Sequence, residues 1–100
     1  MIPKHAEKGQ IVHEIELGVM LKKTGYKIKR SEWKDYIGGY FLLLDYTDAV
    51  FLKESITKCL PWYMAKNQDN FLCLSDLIPA EAIDDPHNVE LELKIHNEVR

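Results

Sequence analysis

Cysteine, proline and glycine are all scarce in this chain, at two, four and five residues out of 100. The two cysteines, Cys59 and Cys73, are too few for a disulfide framework and lack metal-type spacing, so two buried thiols in a reducing compartment are expected. The few glycines form no phosphate-cradling loop, and neither a nucleophile elbow nor a zinc spacing is present. No apolar run approaches the roughly 20 residues that a membrane helix needs, which argues against a membrane partner. The opening MIPKHAEKGQ has neither the apolar core of a signal peptide nor the Arg/Ser-rich character of a transit peptide. Basic residues are scattered and the net charge is −3, so no nucleic-acid footprint is indicated. The densest basic stretch, residues 27–30, is broken by Ile28 and reads as a solvated strand face.

What is present is an ordinary globular share of apolar residues, 46%, enough for one small domain or part of a larger one. Repeats and low-complexity segments are absent. Ile11, His13, Ile15, Leu17 and Val19 alternate with Val12, Glu14, Glu16 and Gly18, the period of a strand with both glutamates on one face. Ser31 reads as the N-cap of a two-turn helix carrying Trp33, Tyr36 and Ile37 on a buried face, stopped by Gly38-Gly39. Residues 40–44 form a continuous apolar run, the mark of a strand covered on both faces, and end in Asp45. Thr47 and Asp48 can cap a helix running to about Lys58, with Phe51, Leu52 and Ile56 as its apolar stripe. Pro61-Trp62 ends it. Short strands or turns follow near residues 71–74 and 77–78. Residues 89–95 alternate as a strand that runs out at Arg100 with no partner after it, as if the chain stopped inside a fold.

Chemistry concentrates on a few side chains. Glu14 and Glu16, about 6–7 Å apart on one strand face, repel unless something positive lies between them. A bound cation is one resolution; a solvent-facing acidic strand is the other. Asp45 closes an apolar run, where an unpaired charge is costly to bury. Three carboxylates without sulfur or paired imidazole suit a hard cation, Mg²⁺ or Mn²⁺. As a turn or helix-cap residue, Asp45 would need no metal. Lys66 follows the apolar stretch from Pro61 to Ala65, an approach that could set its ammonium at a pocket wall against a carboxylate or an oxyanion. An ordinary surface lysine would look the same. His13 falls on the apolar face, as a satisfied core histidine. His5, His87 and His96 form no constellation.

Three strings occur in one order: His13-Glu14-Ile15-Glu16-Leu17-Gly18, then Asp35-Tyr36-Ile37-Gly38-Gly39-Tyr40 running to Asp45, then Leu60-Pro61-Trp62 running to Lys66. Asp84-Asp85-Pro86-His87 and Asn97-Glu98-Val99-Arg100 continue the pattern. Together they resemble the fumarylacetoacetate hydrolase family, in particular its acylpyruvase branch, whose members also act on oxaloacetate as decarboxylases and tautomerases. The resemblance implies a β-rich α+β fold, part of a mixed β-roll with two or three short helices, usually assembled as a homodimer. It implies Mg²⁺ or Mn²⁺ on Glu14, Glu16 and Asp45, and a catalytic, substrate-binding role for Lys66 at a carboxylate or enolate oxygen. The implied substrate is a small 2-oxo acid, chelated through carboxylate and keto oxygens so that the enolate is stabilised by a Lewis acid. Mitochondrion or cytosol is the implied compartment.

The chain departs from the family pattern in three respects. The family carries, upstream, a His and Glu pair that activates water, and downstream a Thr-Gly-Thr-Pro-like loop; neither lies within these residues. After the aspartate the family reads Asp-x-Thr-x-Arg-Asp with a glutamine soon after, whereas Asp45 and Thr47 are followed here by Ala49, Val50 and Leu52. Residues 1–100 are therefore expected to form the central part of one such domain, truncated at both ends. One reading is an acylpyruvase-type enzyme. The other is a non-catalytic, truncated paralogue or partial gene product that keeps metal binding or only the scaffold.

Overall fold

Alternating apolar and polar residues draw Ile11–Leu21 out as strand β1, slightly longer than the alternation itself predicts. The computed structural model describes residues 10–99. The second strand, β2 (Ile37–Asp48), is longer than the apolar run that announced it, and Asp45 lies inside it rather than at its end. Backbone bonds from Lys22 N–H to Tyr36 O (2.9 Å) and from Ala49 N–H to Gln10 O (2.9 Å) show that β1 and β2 run antiparallel.

Gly38 and Gly39 sit within β2 and do not stop a helix. At Gly39, paired with Pro79, a Cβ would come 2.6 Å from the Ile78 carbonyl oxygen, so the close approach of a neighbouring strand requires glycine there. The expected two-turn helix before it is a single 3₁₀ turn, Trp33–Tyr36, preceded by Glu32 with no side-chain cap. Ser31 caps nothing. Of its expected apolar face only Ile37 is buried; Trp33 and Tyr36 are half-buried. Nor is β2 covered on both faces between residues 40 and 44, because Leu42 is exposed. The basic residues 27–30 are exposed but lie in a loop, not a strand.

Asp48 ends β2 and starts α1 (Ala49–Thr57), accepting a hydrogen bond at Oδ1 from the Phe51 N–H at 3.0 Å. This is the cap expected from the sequence. Asp48→Ala is expected to destabilise the chain by about 1 kcal/mol, read as a lower urea midpoint with unchanged m-value. The predicted stripe on α1 is not its buried side: Phe51 and Ile56 are exposed, and Ser55 is buried. The chain folds back there, Leu60 N–H bonding to the Ser55 carbonyl at 2.8 Å. A one-turn helix, α2 (Tyr63–Lys66), follows Trp62 and carries no periodic signal long enough to announce it.

Strand β3 (Leu72–Leu74) pairs with β2 in the register Leu43↔Leu74, Leu44↔Cys73 and Asp45↔Leu72. Further along β2, β4 (Ile78–Pro79) pairs through Gly39↔Pro79 and Tyr40↔Ile78. Among the described residues this makes a four-stranded sheet in the order β1-β2-β3, with β4 also on β2. The expected strand over residues 89–95 is mostly irregular. Only β5 (Lys94–Ile95) is a strand, and it does have a partner, β6 (Glu98–Val99). His96 and Asn97 turn the chain between them at φ 52° and 66°, the left-handed pair that a tight hairpin needs. Alternation supplies a face but not a ladder, and residues 89–93 have the first without the second. Arg100, and the N-terminal stretch containing His5, lie outside the described residues.

The chain divides into two units. One comprises the residues up to Glu16 with Leu43–Leu74; the other comprises Leu17–Leu42 with the residues from Ser75 onward. In the first, Phe71 and Ala65 are buried along with Thr47 and Ser55, and the Phe71 ring lies 6.3 Å from that of Tyr46. In the second, Ile37 and Tyr40 are buried, and Trp33 meets the His87 ring edge-on.

Candidate functional site

The first unit gathers the residues singled out for chemistry. Strand alternation places Glu14 and Glu16 on one face of β1, and the ligand oxygens of Glu14, Glu16 and Asp45 all come within 4.8 Å of one another. Glu14 is exposed, while Glu16 and Asp45 are half-buried. Thr47, two residues beyond Asp45 and so on the same face, is almost fully buried; its hydroxyl donates to Glu14 Oε1 at 3.4 Å.

Lys66 closes the group. As the last residue of α2 it extends its ammonium to Asp45 Oδ2 at 2.7 Å and to Glu14 Oε2 at 3.1 Å. Partial desolvation pulls its pKa down, but the hydrogen bonds and charges of Asp45 and Glu14 outweigh this and hold it above its ordinary value. The ammonium is therefore charged throughout the neutral range. Among the described residues Glu16 forms no ion pair.

The charge balance decides what else fits. Three carboxylates against one ammonium leave two negative charges, the charge a divalent cation neutralises. The donors are all oxygen, which selects a hard cation such as Mg²⁺ or Mn²⁺. Oxygens around Mg²⁺ lie about 2.0–2.1 Å from it, so opposite ligands are about 4.2 Å apart. A spacing of up to 4.8 Å needs only side-chain rotation to reach that. The residues fit the ion.

Other expectations do not survive. His13 is not a satisfied core histidine: its Nδ1 is buried and has no hydrogen-bond partner among the described residues. Both cysteines are exposed. Cys73 lies on β3, whose three residues are all exposed, and Cys59 follows the end of α1 in the left-handed region at φ 53°. Two features have no signal in the sequence. The Thr47–Glu14 contact joins residues 33 apart, and Lys66 reaches partners 21 and 52 residues away. Both depend on α2 and on strand pairing, which no local spacing encodes.

Residues 1–100 match the family described as fumarylacetoacetate (FAA) hydrolase C-terminal. The chain belongs to the fumarylacetoacetate hydrolase family. Family relatives include the mitochondrial oxaloacetate tautomerase of Mus musculus, 42% identical over 88% of this chain and 40% of its own length. The mitochondrial oxaloacetate decarboxylase of Dictyostelium discoideum is 36% identical over 94% of this chain and 43% of its own. The chain thus spans about two-fifths of the length of these relatives, which are enzymes. Among solved structures, a family protein of Yersinia pestis superposes with a TM-score of 0.90 at 30% identity, covering 99% of this chain and 45% of that one. The fumarylpyruvate hydrolase of Pseudomonas aeruginosa, in complex with Mn²⁺ and pyruvate, superposes at 0.83 with 26% identity over 90% of this chain and 39% of its own. The β-rich fold with few short helices is the fold of this family.

Proposed function

We propose that this chain carries the metal-binding part of an acylpyruvase-type site, acting on small 2-oxo acids by C–C hydrolysis of acylpyruvates or by decarboxylation or tautomerisation of oxaloacetate. The observation that carries the reading is the convergence of Glu14, Glu16 and Asp45 within 4.8 Å, with Lys66 against two of them. Glu14, Glu16 and Asp45 would hold Mg²⁺ or Mn²⁺. Once bound, the ion supplies Lewis-acid stabilisation of a developing enolate. Lys66 is the catalytic and substrate-binding residue in this reading. Its three N–H donors can serve Asp45, Glu14 and one substrate carboxylate or enolate oxygen together. Thr47 holds Glu14 in place from beneath. The relatives named as mitochondrial support a mitochondrial location over a cytosolic one, and the family's usual homodimer is the assembly proposed.

The test is loss of oxaloacetate absorbance with Mg²⁺, compared with metal alone. Glu16→Ala is expected to abolish the protein-dependent rate while leaving both Lys66 ion pairs intact, since Glu16 takes no part in them. Turnover no faster than the metal blank would remove the catalytic claim for this polypeptide. The same geometry favours one second reading, a scaffold in which Lys66 serves as the permanent counter-ion of Asp45 and Glu14. It predicts no rise in thermal midpoint on adding Mn²⁺, whereas a metal-binding chain without turnover would rise.

A further inference from the structure

The basic run at residues 27–30 has no part in the metal-centred reading, yet the fold sets it against two aromatic rings. Its loop is tied down at three points. The Lys22 N–H bonds to the Tyr36 carbonyl at 2.9 Å, and the Glu32 N–H bonds to the Lys29 carbonyl at 2.9 Å. Between them Gly25 permits a close approach: a Cβ there would strike the Ile28 side chain and lie 3.1 Å from Tyr36 Cδ1.

The loop borders an open hollow of about 420 Å³, the size of a small-molecule site. Every residue lining it belongs to the second unit. Ile28 and Ile37 supply aliphatic surface, and Trp33 and Tyr36 supply rings. The charge is one-sided. Lys29, Arg30 and His87 line the hollow, and among the described residues no carboxylate does. Two flanking acids are engaged: Glu32 pairs with Lys29 at 3.6 Å, and Asp85 Oδ1 accepts the His87 backbone N–H at 3.0 Å. Arg30 forms no ion pair among the described residues, and Lys23 adds a further cation 4.2 Å from the Tyr36 ring centroid. The chain as a whole carries −3, so a hollow lined by cations is a local reversal of sign that favours an anion.

We propose that this hollow is a binding site for a small aromatic carboxylate. The Arg30 guanidinium presents a planar fork that matches a carboxylate through two parallel N–H···O bonds, with Lys29 adding charge. The ligand's ring lies against Trp33 and Tyr36, where offset or edge-on contact and loss of apolar surface from water hold it. Neither half suffices, because an exposed guanidinium binds a bare carboxylate weakly and the rings alone do not select charge. The site uses none of the residues assigned to the metal, and it stands or falls apart from that reading.

Three probes separate the two halves: phenylacetate, its neutral isostere phenylacetamide, and acetate, which has the charge without the ring. Each is titrated into the full ¹⁵N-labelled chain in metal-free buffer. The shift of the Trp33 indole N–H, identified by its loss in Trp33→Phe, reads occupancy, and that of Trp62, in the first unit, is the control. Phenylacetate should shift Trp33 saturably and leave Trp62 still, binding at least about tenfold more tightly than either other probe. Arg30→Gln should erase most of that preference while leaving phenylacetamide unchanged. Arg30 is exposed, so the variant is expected to fold, which circular dichroism checks. Asp45→Asn should bind phenylacetate as the parent does. No saturable shift at Trp33, equal affinity for phenylacetate and either other probe, or a preference unmoved by Arg30→Gln would overturn the site. Loss of binding in a folded Asp45→Asn would overturn it too, by placing the carboxylate at the acidic cluster's lysine instead.

Discussion

Asp45→Asn is expected to weaken Mn²⁺ binding by at least about 100-fold, more than the loss usual for groups that merely orient a ligand. The reason is charge as much as coordination. With Asp45 neutral, Glu14 and Glu16 supply two negative charges and Lys66 one positive, so a net single charge faces a divalent ion. The asparagine carbonyl can still coordinate, but as a dipole, and hard cations take most of their binding energy from anionic oxygen. Lys66 loses its 2.7 Å partner and shifts its weight onto Glu14, in competition with the cation for that carboxylate. Asparagine has the shape of aspartate, and the Asp45 side chain is already a quarter exposed, so the strand should persist. Titration of Mn²⁺ followed by the electron paramagnetic resonance of the free ion measures the affinity, and circular dichroism measures the fold. An affinity equal to that of the parent chain, on a folded variant, would place the ion elsewhere.

Much of this site is legible in the amino-acid sequence because its ligands follow strand arithmetic. Glu14 and Glu16 are two residues apart, so one alternating pattern gives both the strand and the shared face. Asp45 is legible as a charge closing an apolar run, although the strand continues past that run to Asp48. Lys66 is marked by its apolar approach, but its two ion pairs are not, because they join residues far apart in the chain through α2, a helix of one turn. The misleading signals share a cause. Ser31 before an aromatic pattern imitates a helix cap, and Gly38-Gly39 imitates a helix stop, yet at Gly39 the glycine is needed because β4 lies against it. Residues 89–95 alternate as a strand does, but strand formation is decided by the partner, and only residues 94–95 have one. Periodicity reports which face a side chain would take. It does not report whether a ladder forms.

The strand that carries Asp45 and Thr47 is anchored on the small core of its unit by one aromatic contact, and Phe71→Ala should leave a chain that relies on the ion to stay folded. Phe71 is 1% exposed and is the largest fully buried side chain among the described residues. Its carbonyl accepts from the Tyr46 N–H at 2.8 Å, and its ring packs 6.3 Å from the Tyr46 ring. Tyr46 lies between Asp45 and Thr47, so fixing Tyr46 on one face of β2 fixes those two on the other. Phe71 also immediately precedes Leu72 and so sets the register that brings Leu72 opposite Asp45. Truncation to alanine is expected to cost about 3–5 kcal/mol, a large part of the roughly 5–15 kcal/mol that holds a typical domain folded. Urea unfolding followed by the fluorescence of Trp33 and Trp62 should therefore show a much lower midpoint. Because a ligand that binds only the folded form stabilises it, Mn²⁺ at about 100 times its dissociation constant should restore about 2.7 kcal/mol. The same addition should do nothing for the double variant Phe71→Ala/Asp45→Asn. Rescue of the single variant but not the double would show that the ion stabilises the folded chain through Asp45. Rescue of both would mean that Mn²⁺ acts at a site without Asp45.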